Sequence, residues 1–188
     1  MLDERAAVIG SRFAEVLLSA KAGDERALGE LYRDLNPRLL RYLAARASEA
    51  VDDLAQETWL SAAEGLRSFD GDERGFRSWF FTIAYRRVAD HFRASYHRRE
   101  RSSEPEALLA LAGSEDVSDR ASMQDAVRML VDGLTHEQAE VVVLRVVADL
   151  AVDQVAEMLG KSPGAVRVVQ HRALRRLARQ AASTEVAS

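Results

Sequence analysis

The sequence predicts an all-α fold of two small helical domains joined by a flexible linker. Apolar residues recur at helical spacing along most of its 188 residues, and no stretch alternates apolar and polar residues as a strand does. A polar segment near residues 102–122 divides two such helical regions. We therefore place a first domain at 1–97, a linker at 98–122, a second domain at 123–182 and a tail at 183–188.

The first domain is predicted to contain four helices. Residues 3–21 carry an apolar helical stripe, and Asp24 can cap the second helix, which Pro37 is expected to bend. The inner side of the second helix is expected to comprise Leu28, Leu31, Tyr32, Leu35, Leu39, Leu40 and Leu43. A third helix begins near Glu49, and a polar loop at residues 68–75 leads into the fourth. The fourth helix is rich in aromatic residues, of which Phe76, either Trp79 or Phe80, and Phe92 fit an inward face.

The second domain is predicted to begin with a helix at 123–131 and to end in a helix-turn-helix. Thr135 and Gln138 form a capping-box pattern that opens the next helix and favours helix for the β-branched run at 141–147. The apolar side of that helix is expected to comprise Ala139, Val142, Val143, Val146 and Val147. Gly160 suits the left-handed residue that ends the next helix, and Ser162 and Pro163 suit the cap and first position of the last one. The inward face of this last helix is expected to comprise Val166, Val169, Ala173, Leu174 and Leu177.

Charge is clustered rather than evenly spread. The formal net charge is −4, yet residues 161–179 hold six Lys or Arg and no acid, and residues 86–101 hold six Arg against two acids. Clusters of this kind are the electrostatic footprint of nucleic-acid binding. Because the whole chain is acidic, we expect weak binding to duplex DNA by the chain alone and a partner that brings it to DNA.

The third helix carries the opposite charge. Asp52, Asp53, Gln56 and Glu57 form an acidic cluster over about a turn and a half, with Trp59 and Leu60 expected behind it. The fourth helix interleaves aromatic residues with arginines, as binding of single-stranded nucleic acid requires, although an aromatic stripe is more often a core. A solvated acidic face and a solvated basic face remain the simple structural alternatives for these helices.

With these motifs, the chain resembles a bacterial RNA polymerase sigma factor of the extracytoplasmic-function (ECF) group over residues 24–180. DDLAQETWLSA at 52–62 and FRSWFFTIAYRRVADHFR at 76–93 are similar to segments of that family's second region. LTHEQAEVVVLRVVADLAVDQVAEMLGKSPGAVRVVQHRALRRL at 134–177 resembles its fourth region. The resemblance implies binding to core RNA polymerase, through its clamp coiled coil and flap, and to promoter DNA, and it implies a sequestering anti-sigma factor.

The resemblance also implies roles for individual residues. The expected polymerase contacts are Asp52, Asp53, Gln56 and Glu57. The residues expected to bind the −10 element are Phe69, Asp70, Arg74, Trp79, Tyr85 and Arg86. Those expected to bind the −35 element are Ser162, Arg167, Val168, His171, Arg172, Arg175 and Arg176. Ala151 stands where relatives often have a capping Ser, so that cap is expected to be weaker or supplied by Asp149.

Other classes of function fit less well. The sequence has no Cys, no metal-ligand spacing and no phosphate-binding Gly loop, so we expect neither catalysis nor a metal or other cofactor. It has no apolar run long enough for a membrane span and no signal sequence, which predicts a cytoplasmic protein without membrane insertion. The main alternative is a dimeric two-domain helix-turn-helix regulator; an adaptor that binds only proteins is a third possibility.

Overall fold

The computed structural model describes residues 9–101, 129 and 131–186, and these residues contain helices and no strand. The α-helices are α1 (Phe13–Lys21), α2 (Glu25–Arg46), α3 (Val51–Leu66), α4 (Glu73–Arg101), α5 (His136–Val142), α6 (Val152–Leu159) and α7 (Pro163–Val186). Short 3-10 turns occupy Gly10–Arg12 and Ser48–Ala50, and a π-helical turn occupies Val143–Val147. The all-α prediction is confirmed. Most of the predicted linker, and most of the helix expected from Met123, lie outside the described residues.

The first domain packs α1 to α4 around a core of large side chains. Tyr42 and Phe81 meet edge to face with ring centroids 5.8 Å apart, and Phe80 packs against Phe81 at 5.7 Å. The largest fully buried side chains here are Leu35, Leu39, Tyr42, Leu43, Phe80 and Phe81. The helix α2 is not interrupted at Pro37, which lies within it.

Three helix ends in the second domain fall at the residues that the sequence indicates: the start of α5, the end of α6 and the start of α7. The Thr135 hydroxyl accepts a hydrogen bond from the Gln138 amide at 3.3 Å, and the Gln138 side chain accepts one from the Thr135 amide at 3.2 Å. Gly160 has a φ of 63°, and the Ser162 hydroxyl accepts from the Ala165 amide at 3.2 Å. The aliphatic core of the second domain includes Val141, Leu144, Leu150, Val155, Val166 and Ala173.

Six of the expected inward positions face solvent instead. The exposed large hydrophobic side chains at these positions are Leu28, Tyr32, Leu60, Phe92, Val146 and Leu174. A helical pattern fixes the direction of the apolar face, but the width of that face depends on which neighbouring helix covers it.

Asp149 does not cap α6 as the sequence suggested. It has a φ of 56°, and its carboxylate lies 3.2 Å from the guanidinium of Arg77 in the first domain. The Ala151 amide donates instead to the Gln154 side-chain oxygen at 2.9 Å, which satisfies one N–H group at the start of α6.

A buried polar cluster joins the two domains. Arg46 of α2 lies 2.5 Å from the Glu140 carboxylate of α5, and the Tyr42 hydroxyl donates to the same carboxylate at 3.2 Å. Burial raises the pKa of Glu140 above its ordinary value, with the Arg46 charge opposing that rise. Burial also raises the pKa of Tyr42, and the neighbouring Glu140 charge adds to the shift. Together with the Asp149–Arg77 contact, this cluster holds the second domain against α2 and α4.

Candidate functional site

The predicted acidic cluster forms a continuous exposed ridge on α3. The residues of α3 that turn inward here are Val51, Leu54, Ala55 and Thr58, so the polar residues between them face outward. The ridge comprises Asp52, Asp53, Gln56 and Glu57, all of which are exposed. The structure therefore brings together all four side chains that the sequence suggested for a protein contact.

A shallow apolar hollow of about 510 Å³ lies next to the acidic ridge. Its lining includes Tyr32 and Leu40 of α2, and Trp59 and Leu60 of α3. Leu60 is 58% exposed and Tyr32 is 48% exposed, so an apolar surface is available to a partner. The contribution of α2 was missed from the sequence, where Tyr32 was expected on the inward side.

Trp59 forms the rigid wall of this apolar hollow. Its indole N–H donates to the Asn36 side-chain oxygen at 3.0 Å, which links α3 to α2. Its ring packs against Tyr32 at 4.9 Å and against the fully buried Phe80 at 4.6 Å. The hollow is thus built on the core of the domain.

The loop between α3 and α4 is anchored by an aromatic cluster. Phe69 is partly buried, with its ring 5.1 Å from Phe76 and 5.2 Å from Trp79. Asp72 caps α4 by accepting a hydrogen bond from the Gly75 amide at 2.7 Å. Phe69 and Trp79 are therefore packing residues of this loop, whereas Asp70 and Arg74 are exposed on it.

Farther along α4, the predicted nucleic-acid residues are partly accessible. Tyr85 is half-buried and Arg86 is exposed. Six positions of helix separate Trp79 from Tyr85, about 9 Å along the axis at 1.5 Å per residue. Arg87 donates to the Ser61 hydroxyl at 2.6 Å and so fixes α4 against α3. The six expected −10 residues thus follow one edge of the domain without converging on one point.

The outer face of α7 is basic over four turns. Val166 and Ala173 are fully buried, so the side chains on the opposite face project into solvent. All seven residues expected to contact the −35 element are exposed: Ser162, Arg167, Val168, His171, Arg172, Arg175 and Arg176. The face combines Arg and His donors near the start of the helix with several guanidinium groups farther along it.

The start of α7 is held in place by polar contacts on both sides. Gln170 is half-buried and accepts a hydrogen bond from Arg145 at 3.2 Å, while Arg145 also donates to the Leu150 carbonyl. Lys161 in the turn lies 2.6 Å from Glu137 of α5. Gln170 therefore links α7 to the π-helical turn that contains Arg145.

The comparisons with known proteins match both halves of this arrangement. A family model of sigma-70 region 2 matches residues 31–99, and a model of sigma-70 region 4 matches residues 130–179. These matches place the ridge, the loop and α4 in region 2, and the helix-turn-helix in region 4. The chain is also 36% identical over 176 residues to the ECF RNA polymerase sigma factor SigD of Mycobacterium tuberculosis, covering 89% of this chain and 83% of SigD. The chain belongs to the ECF RNA polymerase sigma factors.

Two solved structures share the fold. That of CnrH in complex with the cytosolic domain of CnrY has a TM-score of 0.62 and 21% identity, covering 92% of this chain and 99% of CnrH. That of the sigma factor RpoE in complex with the anti-sigma factor NepR from Bartonella quintana has a TM-score of 0.56 and 23% identity, covering 79% of this chain and 94% of RpoE. The family is one of transcription initiation factors, and membership in it does not favour the dimeric regulator.

Within residues 9–101, 129 and 131–186, no helix is both long and apolar enough to cross a bilayer. No group of three or more His, Asp or Glu side chains is placed to hold a metal ion there.

Proposed function

We propose that this chain binds core RNA polymerase through the first domain and directs initiation at promoters whose −35 and −10 elements it reads. The observation that carries the proposal is the separation of charge: an acidic ridge beside an apolar hollow on α3, and a basic face on α7. An acidic surface repels DNA but attracts a basic protein surface, whereas a basic face does the reverse. One chain therefore carries a surface for a protein and a surface for DNA.

The polymerase contact is proposed to use the ridge and the hollow together. The apolar hollow with Leu60 and Trp59 would bury surface at the centre of the contact, and the carboxylates would form its charged rim. Charged rims mainly accelerate association and exclude wrong partners, while a packed apolar centre supplies affinity. A basic, partly apolar helical surface such as the clamp coiled coil fits this chemistry; the flap remains a proposal without a named contact in this chain.

The −35 element is proposed to be read by the start of α7 in the major groove. Arg167 and His171 offer donors to base edges, and the exposed Val168 offers a methyl surface to thymine. Arg172 is placed to contact either bases or phosphates, and Arg175 and Arg176 would neutralise phosphates. Ser162, at the N-cap, would bind a phosphate near the positive end of the helix.

The −10 element is proposed to be captured by the loop at residues 69–74 and by α4. Separating about ten base-pair steps costs roughly 14 kcal/mol at ~1.4 kcal/mol each, more than a few stacked aromatic rings at ~1–3 kcal/mol can supply. The chain would therefore hold a flipped non-template base only within the holoenzyme. Asp70 and Arg74 would contact that base or its phosphates, Phe69 and Trp79 would support the loop, and Tyr85 and Arg86 would lie beside the strand.

Reading both elements requires the two domains to separate. The elements lie about 25 base pairs apart, or about 85 Å at 3.4 Å per pair. Here the Gln154 side chain donates to the Arg74 carbonyl at 3.0 Å, so the second domain rests against the −10 loop. Promoter binding would therefore replace these contacts with contacts to DNA.

An anti-sigma factor is proposed as a second partner. RpoE, which shares this fold, is seen in complex with one. A protein inhibitor that covers the acidic ridge and hollow would compete directly with polymerase, since both would use the same apolar surface. The protein is proposed to act in the cytoplasm, where core polymerase and promoter DNA are found.

Reconstitution with bacterial core RNA polymerase tests this function. Run-off transcription would be scored from a promoter pool that the core enzyme alone does not transcribe. We expect new start sites that share −35 and −10 sequences. Tight core binding without transcripts would indicate an adaptor, and autonomous two-fold-symmetric DNA binding without core binding would indicate the operator-binding regulator.

A further inference from the structure

The first helix of the chain lies outside the sigma-70 region 2 match, which begins at residue 31. It is nevertheless part of the domain, because Phe13, Val16, Leu17 and Ala20 are buried against α2 and the start of α4. A helix that served only to cover the core would need no specific polar contacts. The N-terminal segment makes such contacts, both to the loop proposed to capture the −10 base and to the first residue of α4.

Three contacts join the N-terminal segment to that loop and to the first turn of α4. The Lys21 ammonium donates to the backbone carbonyl of Phe69. The Phe13 and Phe76 rings lie 5.5 Å apart, and the Gly10 amide donates to the Glu73 carboxylate at 3.0 Å. These contacts span the loop from its first residue to the helix that follows it.

The loop has an anchor on its inner side as well. The Phe69 ring is packed in the aromatic cluster, and Gly71 has a φ of 155° with so little room that a Cβ would lie 2.9 Å from that ring. Asp72 then ties the end of the loop to the Gly75 amide. Residue Phe69 is thus held on two sides, because its ring packs in the aromatic cluster and its carbonyl accepts from Lys21. Asp70, the next residue, is exposed on a backbone that these contacts fix.

We infer that α1 is a positioning element for −10 capture, with Lys21 and Phe13 setting the conformation of the loop without touching DNA. Preorganisation of a binding loop adds affinity because the loop need not be ordered when its ligand arrives. Lys21 acts through a hydrogen bond to the backbone carbonyl of Phe69. Any side chain at position 21 that can donate this hydrogen bond should therefore hold the loop in the same conformation. This inference rests on the proposed role of the loop in reading the −10 element.

The test compares Lys21→Met, which keeps the aliphatic stem and removes the donor, with Lys21→Arg, which keeps a donor. Arg12→Met is the matched control, since Arg12 also precedes α2 but pairs with Glu30 at 3.2 Å rather than with the loop. Holoenzymes of each full chain would be assayed on promoters with a cognate or a substituted −10 base. We expect Lys21→Met to lower the preference for the cognate base about tenfold, the factor for one hydrogen bond of about 1.4 kcal/mol. Lys21→Arg and Arg12→Met should retain it.

The readouts separate this inference from the proposed function. If the unmodified chain binds polymerase but shows no −10 preference, the proposed role of the loop and this inference both fail. If the unmodified chain reads the −10 base and Lys21→Met reads it equally well, this inference alone fails. Lys21→Met could instead lower the −10 and −35 preferences equally, or Lys21→Arg could fail to retain the −10 preference. Either result would indicate a general structural role for Lys21 and would overturn this inference.

A second measurement does not depend on transcription. Amide hydrogen exchange of the free chain should accelerate about tenfold or more at residues 69–75 in Lys21→Met and remain unchanged in α7. Unchanged exchange in the loop would contradict the positioning role even if −10 preference fell.

Discussion

The two domains expose charged helices on different kinds of core. The first packs its helices with aromatic rings that run from the buried centre to the surface, as Phe80, Trp59 and Tyr32 do beneath the apolar hollow. The second, over residues 131–186, contains no Phe, Trp or Tyr and packs with Val, Leu and Ala. Substitutions near the first site should therefore affect both folding and binding, whereas the basic face of α7 should be separable from its core.

The largest effect is expected from breaking the aromatic core. Phe80→Ala should lower the free energy of unfolding by about 3–5 kcal/mol because it leaves a cavity under Trp59. Val155→Ala in the second domain removes less surface and should cost about 2 kcal/mol. Both tryptophans lie in the first domain, so their fluorescence during denaturation would follow that domain alone, whereas circular dichroism of the helices would follow both domains. Phe92→Ala, at a 42% exposed position of α4, is the control and should cost far less.

The buried cluster between the domains should give the next largest effect. Arg46→Ala would leave Glu140 buried without its cation, which costs about 3–5 kcal/mol; we expect the lower end because Tyr42 still donates to that carboxylate. The distance between fluorophores on α3 and α7 would report the resulting separation. The double variant Arg46→Leu/Glu140→Leu should separate less than Arg46→Ala, and equal separation would argue against a buried charge as the cause.

Reversing charge on the acidic ridge should weaken polymerase binding without unfolding the domain. Glu57→Lys would place a cation against the proposed basic partner surface, and we expect a loss of about tenfold to a hundredfold in affinity for core polymerase. Glu64→Lys, at another exposed position of α3 off the ridge, is the matched control. Titration of labelled chain with core enzyme would measure both, and equal losses would remove the ridge from the interface.

On α7, substitutions of two arginines should change different properties of DNA binding. Arg167→Ala should cost about 1–3 kcal/mol and relax the preference for −35 bases, since Arg167 is proposed to read them. Arg176→Ala should weaken binding to all sequences alike and reduce its salt dependence, because Arg176 is proposed to contact phosphate. Holoenzyme binding to a panel of −35 variants would distinguish these outcomes, and the same profile for both would refute the assignment.

The smallest effect is expected from pH. The pKa of Glu140 is raised above its ordinary value of 4.5 while the domains are in contact, and opening returns it toward that value. Protonation of Glu140 therefore favours contact between the domains. This stabilisation is fully present below pH 4.5 and is lost as the pH rises through the raised pKa of Glu140. The groups facing Glu140 are Arg46, Tyr42 and His136. Interdomain distance measured against pH should show this trend, and Glu140→Gln, which cannot titrate, should remove it.

Sequence reasoning located what depends on local chemistry. Gly160, Ser162 and Thr135 mark helix ends because their side chains or permitted dihedral angles act within a few residues. It did not find the part of α2 that completes the apolar hollow, nor Glu140 and Asp149 as contacts between domains. Those depend on which helices meet in space. Glu140 looks like any surface carboxylate in an amphipathic helix until Arg46, far away in sequence, is placed beside it.

The contacts of Glu140 and Asp149 with the first domain bear on how any affinity for promoter DNA is interpreted. A chain that must open before it can span both elements binds with an apparent dissociation constant equal to the intrinsic value divided by the open fraction. If one molecule in about a hundred is open, the measured affinity is about a hundredfold weaker than the DNA contacts themselves provide. A partner that binds only the open form raises that fraction, so polymerase would strengthen promoter recognition without adding a single contact to the −35 bases.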